Sequence, residues 1–264
     1  MAILDFEQRI KDLDLSLFGG VFCQSDVDDQ MSWLAVQRSI RQMWPRYVYL
    51  EIGSHLGGSL QQHLLDPFCL KIISIDKRPE WQPDDRGKPC LYPDNSTARM
   101  IENLRAIAPE NISKIQCFDC DAKDIDVGEI TTPVHICFID GEHTRSAVLS
   151  DFEFCLKVCD KAGVICFHDA RVIWPALGAI MASLRRRGYR FEAYKLPGET
   201  FAICFGNCPV MHDEFIVKSG MDARQFINMM RMRPLGGAAR RLMPRKMYLV
   251  AKRVWNLFFL RKGG

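Results

Sequence analysis

Two short segments, CFIDGEH and CFHDA, place carboxylates and imidazoles directly after apolar, strand-like runs. The first contains Asp140 and His143, and the second contains His168 and Asp169. Two carboxylates with an imidazole suit a divalent cation such as Mg²⁺ or Mn²⁺ that keeps open water positions. A further imidazole could accept a proton from an oxygen nucleophile. We therefore expect Asp140, His168 and Asp169 to hold a metal, and His143 and Asp140 to act in catalysis.

The same residues also have a structural interpretation. Asp140 could cap the helix that follows it, and His168 and Asp169 could hydrogen-bond to nearby loops. Asp140 could also orient a substrate without a metal. The chemical interpretation requires the two segments to end neighbouring parallel strands, because ligands of open α/β sheets bind beyond the carboxyl ends of the strands.

A glycine turn follows the first strand-like run, in the segment YVYLEIGSHLGGS at residues 47–59. Glu51 lies near the end of the run, and Gly53 then allows a sharp turn and a close approach of ligand to backbone. The next apolar run ends in Asp76. This order of strand, turn, helix, strand and acid is typical of nucleotide-binding α/β domains, and it predicts a ribose-like ligand at the sheet edge.

The spacing acid-x-Gly-x-x-x-Gly-x-Ser resembles motif I of the class I S-adenosylmethionine-dependent methyltransferases. In that family the glycine loop contacts the methionine part of the cofactor, and an acid after the second strand holds the ribose hydroxyls. The pair Asp121-Ala122 matches the family position that holds the adenine. The resemblance therefore implies cofactor binding by Glu51, Gly53, Ser54, Gly57, Ser59, Asp76, Asp121 and Ala122.

The two acid and histidine segments resemble those of metal-dependent O-methyltransferases that act on sugar hydroxyls of natural products. Those enzymes carry an acid after the fourth strand, a histidine base just beyond it, and an acidic pair after the fifth strand. His168 departs from this pattern, since a carboxylate is typical there. The resemblance covers roughly residues 28–206 and implies O-methylation of a hydroxyl on a sugar or natural-product-like small molecule, with a divalent cation such as Mg²⁺ as an optional helper.

Two other functions fit the same residues. A non-catalytic module of this cofactor fold could bind its ligand without turnover and be tethered by its C-terminal tail. An oxidative enzyme is the second alternative, because the cephalosporin hydroxylases resemble this family and keep a similar acid cluster. A nicotinamide dehydrogenase fits least, because its G-x-G-x-x-G fingerprint would need a glycine in place of His55.

Strand-like and helix-like segments alternate along the chain, which predicts an α/β fold with a doubly wound, Rossmann-like sheet. We expect seven strands, mostly parallel, with an antiparallel last strand. The predicted strands cover residues 47–52, 71–76, 114–118, 134–139, 164–167, 189–195 and 200–205. We expect a helical preface at 1–46, the cofactor-binding domain at 47–206, and a linker with a basic helical tail at 207–264.

The composition indicates a soluble globular protein. The chain has 264 residues, of which 48% are hydrophobic and 25% are charged, with a net charge of +3. Its eleven cysteines are odd in number, and several lie in apolar runs where cysteine behaves as a small hydrophobe. The first residues mix acids with apolar residues, unlike a signal peptide. We expect a reducing, cytoplasmic location, and a homo-oligomer is compatible with the sequence.

The C-terminal tail is strongly basic. From Arg224 onward there are eleven lysines and arginines and no Asp or Glu. Residues 239–262 combine these charges with Trp and Phe, as do helices that lie in the headgroup region of anionic membranes. Their apolar runs are too short to span a bilayer. Two interpretations stay open: peripheral contact with the inner face of a membrane, and docking of the helix on the domain or on a second subunit. Nucleic-acid binding is disfavoured because the tail has no recognisable module for it.

Overall fold

The computed structural model describes residues 3–84, 87 and 89–242, and the chain divides into two compact units, Met1–Asp222 and Ala223–Gly264. The helices of the first unit are α1 (Ile3–Lys11), α2 (Val27–Met43), α3 (Gln61–Leu65), α4 (Thr97–Ile107), α5 (Arg145–Val158), α6 (Ala170–Arg186) and α7 (Glu214–Ser219). Its strands are β1 (Tyr47–Ile52), β2 (Cys69–Ile75), β3 (Trp81–Gln82), β4 (Cys90–Leu91), β5 (Ile115–Phe118), β6 (Val134–Ile139), β7 (Cys159–Phe167), β8 (Phe191–Lys195), β9 (Phe201–Phe205) and β10 (Met221–Asp222).

The central sheet has the strand order β10-β8-β9-β7-β6-β1-β2-β5. Strands β5, β2, β1, β6 and β7 pair in parallel, whereas β9 is antiparallel to both β7 and β8. The predicted mostly parallel α/β sheet with an antiparallel last strand is therefore confirmed. The short strand β10 pairs with β8 and extends the predicted seven strands to eight. Strands β3 and β4 form a separate antiparallel pair within the segment between β2 and α4.

The central strands are buried along their whole length, as expected when helices cover both faces of a parallel sheet. Every residue of β1 and of β6 is buried. The N-terminal helices belong to the same core, because Phe6 of α1 and Leu34 of α2 lie in one hydrophobic cluster with Tyr49 and Ile72 of the sheet. The preface thus packs on the sheet, while its boundary with the predicted domain stays a prediction.

Two element boundaries differ from the predicted ones. The helix after the glycine turn begins only at Gln61, because the turn continues through a hydrogen bond from the Leu60 N–H to the Gly57 carbonyl. Strand β7 begins at Cys159 rather than at Val164, since Cys159 already pairs with β6. Neither difference moves the carboxyl ends of the strands, which carry the predicted site.

The described part of the second unit is one helix, α8 (Ala223–Leu242). No helix in the described part of the chain is long and apolar enough to cross a membrane. Residues 243–262 of the predicted membrane-contacting tail lie outside the described residues.

Candidate active site

The glycine turn brings the ends of β1, β2 and β6 together. Gly53 has a φ of 93°, and its N–H donates to the Ile75 carbonyl at 2.8 Å. A Cβ at Gly53 would lie 2.2 Å from the backbone oxygen of Asp140. Only glycine fits there, because both the positive φ and the close approach exclude a side chain. Asp140 therefore lies beside the glycine turn.

Asp76 comes directly after β2 and supports the glycine turn through its carboxylate. Its Oδ2 accepts a hydrogen bond from the backbone N–H of His55 at 2.9 Å, and its Oδ1 accepts one from the N–H of Arg78 at 2.8 Å. The Arg78 guanidinium lies 3.5 Å from Oδ2. Because a carboxylate has about four acceptor positions, Asp76 can still accept hydrogen bonds from a ligand.

A cavity of about 330 Å³ opens beside Asp76. Its volume falls in the range of small-molecule sites. Lys77 lines it and lies 2.8 Å from Glu142, and burial raises the pKa of the neighbouring Asp151 to about 7. Four of the residues predicted to bind the cofactor line this cavity: Gly53, Asp76, Asp121 and Ala122.

Glu51 was expected among the cofactor ligands, but it does not line the cavity beside Asp76. It also does not line the smaller cavity on the other side of the glycine turn. Its side chain is fully buried and accepts hydrogen bonds from the hydroxyls of Ser59 and Tyr49. Burial raises the pKa of Glu51 to about 8, and these two hydrogen bonds only partly oppose the rise. In this structure Glu51 therefore fixes Ser59 from behind the turn. Gly57 likewise shapes the turn, with a φ of 86° and side chains of α4 packed against it.

A second, smaller cavity of about 90 Å³ lies on the other side of the glycine turn. Its walls combine the turn with aromatic rings and with the polar residues after β6 and β7. Ser54 and Ser59, both predicted cofactor residues, line this cavity together with Asp140 and Asp169. Gly53 lines both cavities, so their walls meet at the glycine turn.

Asp140, His143 and Asp169 converge at the end of the sheet. Each offers one possible ligand atom, and these atoms lie within 4.8 Å of one another. The Nε2 of His143 is 3.1 Å from Asp169 Oδ2 and 3.8 Å from Asp140 Oδ1. Asp169 has a left-handed φ of 51° just before α6, a strained geometry of the kind that clusters at functional sites. The predicted catalytic pair and one predicted metal ligand are thus neighbours.

His143 also contacts Asp84, which comes from the segment between β3 and β4. Its Nδ1 is 3.4 Å from Asp84 Oδ2, and the two residues form an isolated parallel β-bridge. Burial alone would lower the pKa of His143, but the hydrogen bond with Asp140 and the charges of Asp169, Asp140 and Asp84 raise it. The ring is therefore oriented by carboxylates on both of its nitrogen edges.

His168 lies against three carboxylates. Its Nδ1 is 3.2 Å from Asp140 Oδ1 and 3.6 Å from Asp169 Oδ2, and its Nε2 is 3.3 Å from Oδ2 of the buried Asp29. Burial opposes the charge, but Asp140 and the other carboxylates raise the pKa of His168 well above its usual range. A protonated imidazole has no lone pair for a metal. The predicted metal set of Asp140, His168 and Asp169 stays a prediction. Among the described residues, the group whose possible ligand atoms all lie within 4.8 Å of one another contains His143 together with Asp140 and Asp169.

The two imidazoles also determine the pKa of the Asp140 carboxyl. Burial raises the pKa of its carboxyl, but the imidazoles of His168 and His143 lower it to about 2. Asp140 is therefore ionised at every physiological pH. An ionised carboxylate beside two imidazoles can orient a hydroxyl or hold a cation.

Comparisons with known proteins agree with this geometry. Residues 50–170 match a family model described as a methyltransferase domain. An uncharacterized protein of Acanthamoeba polyphaga mimivirus is 26% identical over 189 residues, which are 64% of this chain and 78% of that protein. The calicheamicin methyltransferase CalS11 shares the fold with a TM-score of 0.51 at 16% identity, covering 77% of this chain and 92% of CalS11. An apo structure of CalS11, a TDP-rhamnose 3'-O-methyltransferase, also gives a TM-score of 0.51 at 16% identity, covering 77% and 94%.

This chain contains a methyltransferase domain over residues 50–170. The predicted recognition is thereby confirmed.

The metal-dependent branch implies a divalent cation, and the methyltransferase domain has residues that fit one. Asp140, Asp169 and His143 supply two carboxylates and an imidazole, a donor set that suits a cation such as Mg²⁺ or Mn²⁺. The buried Nε2 of His143 faces Asp169 and Asp140, at 3.1 Å and 3.8 Å, and its lone pair can bind a cation once the ring is neutral. Because a ligand must first lose its proton, cation binding would release a proton from His143.

Two residues of the methyltransferase site were missed from the sequence. Asp29 lies in the first turn of α2, where an acid is expected simply to favour the helix dipole. Asp84 lies in a segment rich in proline and glycine that has no readable periodicity. Only the folded chain brings Asp29 to His168 and Asp84 to His143.

Proposed function

We propose that this domain transfers the methyl group of S-adenosylmethionine to a hydroxyl oxygen of a sugar or a natural-product-like small molecule. The observation that supports this is the shared wall of the two cavities. A cofactor with its adenosine beside Asp76 and Asp121 would extend past Gly53, and its methyl group would then face Asp140 and Asp169. Carboxylates with an adjacent imidazole suit an acceptor whose proton must be removed.

The reaction is an in-line displacement. The acceptor oxygen forms a bond to the methyl carbon while the carbon–sulfur bond breaks, and S-adenosylhomocysteine leaves. The protein mainly contributes positioning. In this proposal Asp140 and Asp169 hold the acceptor hydroxyl, and the neutral imidazole of His143 takes its proton at Nε2. The raised pKa of His143 makes it a stronger base, so activity should increase with pH as this ring loses its own proton.

A divalent cation is compatible with the same residues. Bound by Asp140, Asp169 and His143, it would lower the pKa of a coordinated hydroxyl and orient it toward the methyl donor. His143 would then be a ligand and not the base, so the two versions of the proposal make different predictions for metal removal.

The test uses full-length protein, isotope-labelled S-adenosylmethionine and a panel of glycosides and hydroxylated aromatic compounds. We expect labelled methyl ether with the wild-type protein, and a loss of about 10²-fold or more in kcat for Asp140→Asn and His143→Gln. Asp94→Asn is the matched control, because Asp94 is exposed and lies outside the acid cluster. Tight binding of S-adenosylhomocysteine without transfer to any hydroxyl would favour the binding module, and iron-dependent oxygen consumption would favour the oxidative enzyme.

Metal content separates the two versions. If chelation abolishes transfer, Mg²⁺ or Mn²⁺ restores it, and Asp169→Asn no longer binds the cation, the metal-assisted version holds. If the cation-free protein keeps full activity and Asp169→Asn changes only the acceptor KM, the base mechanism holds.

We also propose a reducing compartment and peripheral membrane contact for this protein. All eleven cysteines are free thiols, which supports a reducing compartment such as the cytoplasm. Peripheral contact of residues 239–262 with an anionic membrane is tested by comparing vesicle binding of the full chain at low and high salt. Binding that is lost on deletion of residues 243–264 would support the tail as the contact.

A further inference from the structure

A second group of possible metal ligands lies beside the first and shares one residue with it. Asp84, Cys90 and His143 each place one ligand atom within 4.8 Å of the other two. Asp84 and Cys90 come from the segment that carries β3 and β4, whereas His143 comes from the loop after β6. The Asp84 side chain is fully buried, that of His143 is 10% exposed and Cys90 is half-buried.

The backbone holds these residues in place. Cys90 pairs with Gln82 in the β3–β4 ladder, and Asp84 forms a β-bridge with His143. Main-chain pairing therefore positions the backbone of each of the three residues.

We propose that Asp84, Cys90 and His143 form a binding site for a zinc-like divalent cation. A thiolate, an imidazole and a carboxylate are the ligand types that Zn²⁺ takes, with a fourth position left for water. The thiol distinguishes this group from Asp140, Asp169 and His143, where hard carboxylate oxygens favour Mg²⁺ or Mn²⁺. The proposal concerns metal binding and does not depend on which acceptor the domain methylates.

The two nitrogens of His143 explain how one ring can face both groups. A metal-bound histidine usually donates its other N–H to a carboxylate, which fixes the ring and raises its basicity as a ligand. With zinc on the Nδ1 side, beside Asp84, the Nε2–H would point at Asp169 Oδ2, which is 3.1 Å away. Asp169 would then support the zinc site from outside the ligand shell.

This arrangement has a functional consequence. A zinc ion at Nδ1 would keep the proton on Nε2, so the ring could neither accept a proton from an acceptor hydroxyl nor bind a second metal there. It would also fasten the β3–β4 segment to the loop after β6. Zinc is therefore expected to inhibit a reaction that uses His143.

Full-length protein stripped with a chelator is titrated with Zn²⁺ and, separately, with Mg²⁺ by calorimetry. We expect one zinc site, with affinity weakened by more than roughly tenfold in Cys90→Ser and in Asp84→Asn. The control is Cys159→Ser, which removes another partly exposed thiol on a strand and should leave zinc affinity unchanged. Co²⁺ in place of Zn²⁺ should give a thiolate-to-metal charge-transfer band that disappears only in Cys90→Ser.

A further measurement avoids dependence on the folding of the variants. In the wild-type protein, zinc should protect Cys90 from alkylation, as measured by mass spectrometry, and should leave Cys159 reactive. Equal zinc affinity in the wild-type protein and Cys90→Ser, or zinc that leaves Cys90 as reactive as before, overturns the proposal. Because these are binding measurements, they decide the zinc site even if no hydroxyl acceptor is methylated.

Discussion

Glu51 gives a quantitative prediction, because its carboxyl group is completely buried. Its oxygens accept hydrogen bonds from Tyr49 and Ser59, and burial raises its pKa from 4.5 to about 8. Between these values the folded protein keeps a proton that the unfolded chain releases. The free energy of unfolding therefore falls as pH rises from 4.5 to about 8. Below and above this pH window, the titration of Glu51 does not change the free energy of unfolding.

The magnitude follows from the size of the window. Each pH unit between 4.5 and about 8 lowers the free energy of unfolding by about 1.4 kcal/mol through Glu51, which gives an upper bound of about 5 kcal/mol. Glu51→Gln has nearly the same shape and no titration. The variant should thus be less affected by alkaline pH, and its stability relative to the wild-type protein should improve by several kcal/mol across the window.

The assay is urea unfolding of both proteins at about pH 5 and at about pH 8.5, with the difference in free energy of unfolding compared between the two conditions. Glu153→Gln is the control, because the side chain of Glu153 is 46% exposed and should give the same difference at both pH values. If Glu51→Gln and the wild-type protein keep a constant difference within about 1 kcal/mol, Glu51 is ionised in the folded state and the reasoning fails.

Three further predictions test the site. Asp76→Asn should weaken S-adenosylhomocysteine binding in calorimetry by about 10- to 100-fold, because hydrogen bonds to a charged acceptor are lost; unchanged affinity would remove Asp76 from the cofactor site. Asp84→Asn should lower kcat about tenfold and move the acidic limb of the pH–rate profile to lower pH, since a carboxylate that raises the His143 pKa is gone; an unmoved limb would argue for a purely structural Asp84. Gly53→Ala should lower the free energy of unfolding by at least about 2 kcal/mol more than Gly188→Ala, because both have positive φ but only Gly53 would place its Cβ against backbone; equal losses in urea unfolding would contradict the close approach.

Much of the fold was predictable from local patterns. The apolar run of β6 gave the observed bounds, Val134–Ile139, because a strand buried on both faces is a continuous hydrophobic run with sharp ends. Gly163 was less readable, since it suggests a turn but lies within β7. A Cβ there would lie 3.0 Å from the His135 carbonyl, so this glycine serves a close contact between two strands.

The site was predictable only to the level of strand ends. Asp76 and Asp121 line the larger cavity because each follows a parallel strand, and a parallel sheet gathers such ends at one edge. The roles of neighbouring residues were harder to predict. Glu51 lies one residue before the end of β1, and its side chain is buried in the core. Because successive side chains of a strand point to opposite faces, Glu51 points away from the cavity.

The sequence alone determined the order of strands and helices along the chain and the identity of the acids after the strands, because these depend on periodicity, and its short motifs carried the resemblance to methyltransferases. The tertiary structure decided which histidine faces which carboxylate. His168 is held between Asp29 and Asp140, and His143 is turned toward Asp84 and Asp169, through partners that are distant in the chain. Such pairings depend on how α2 and the β3–β4 segment pack against the sheet edge, and no local pattern encodes that packing.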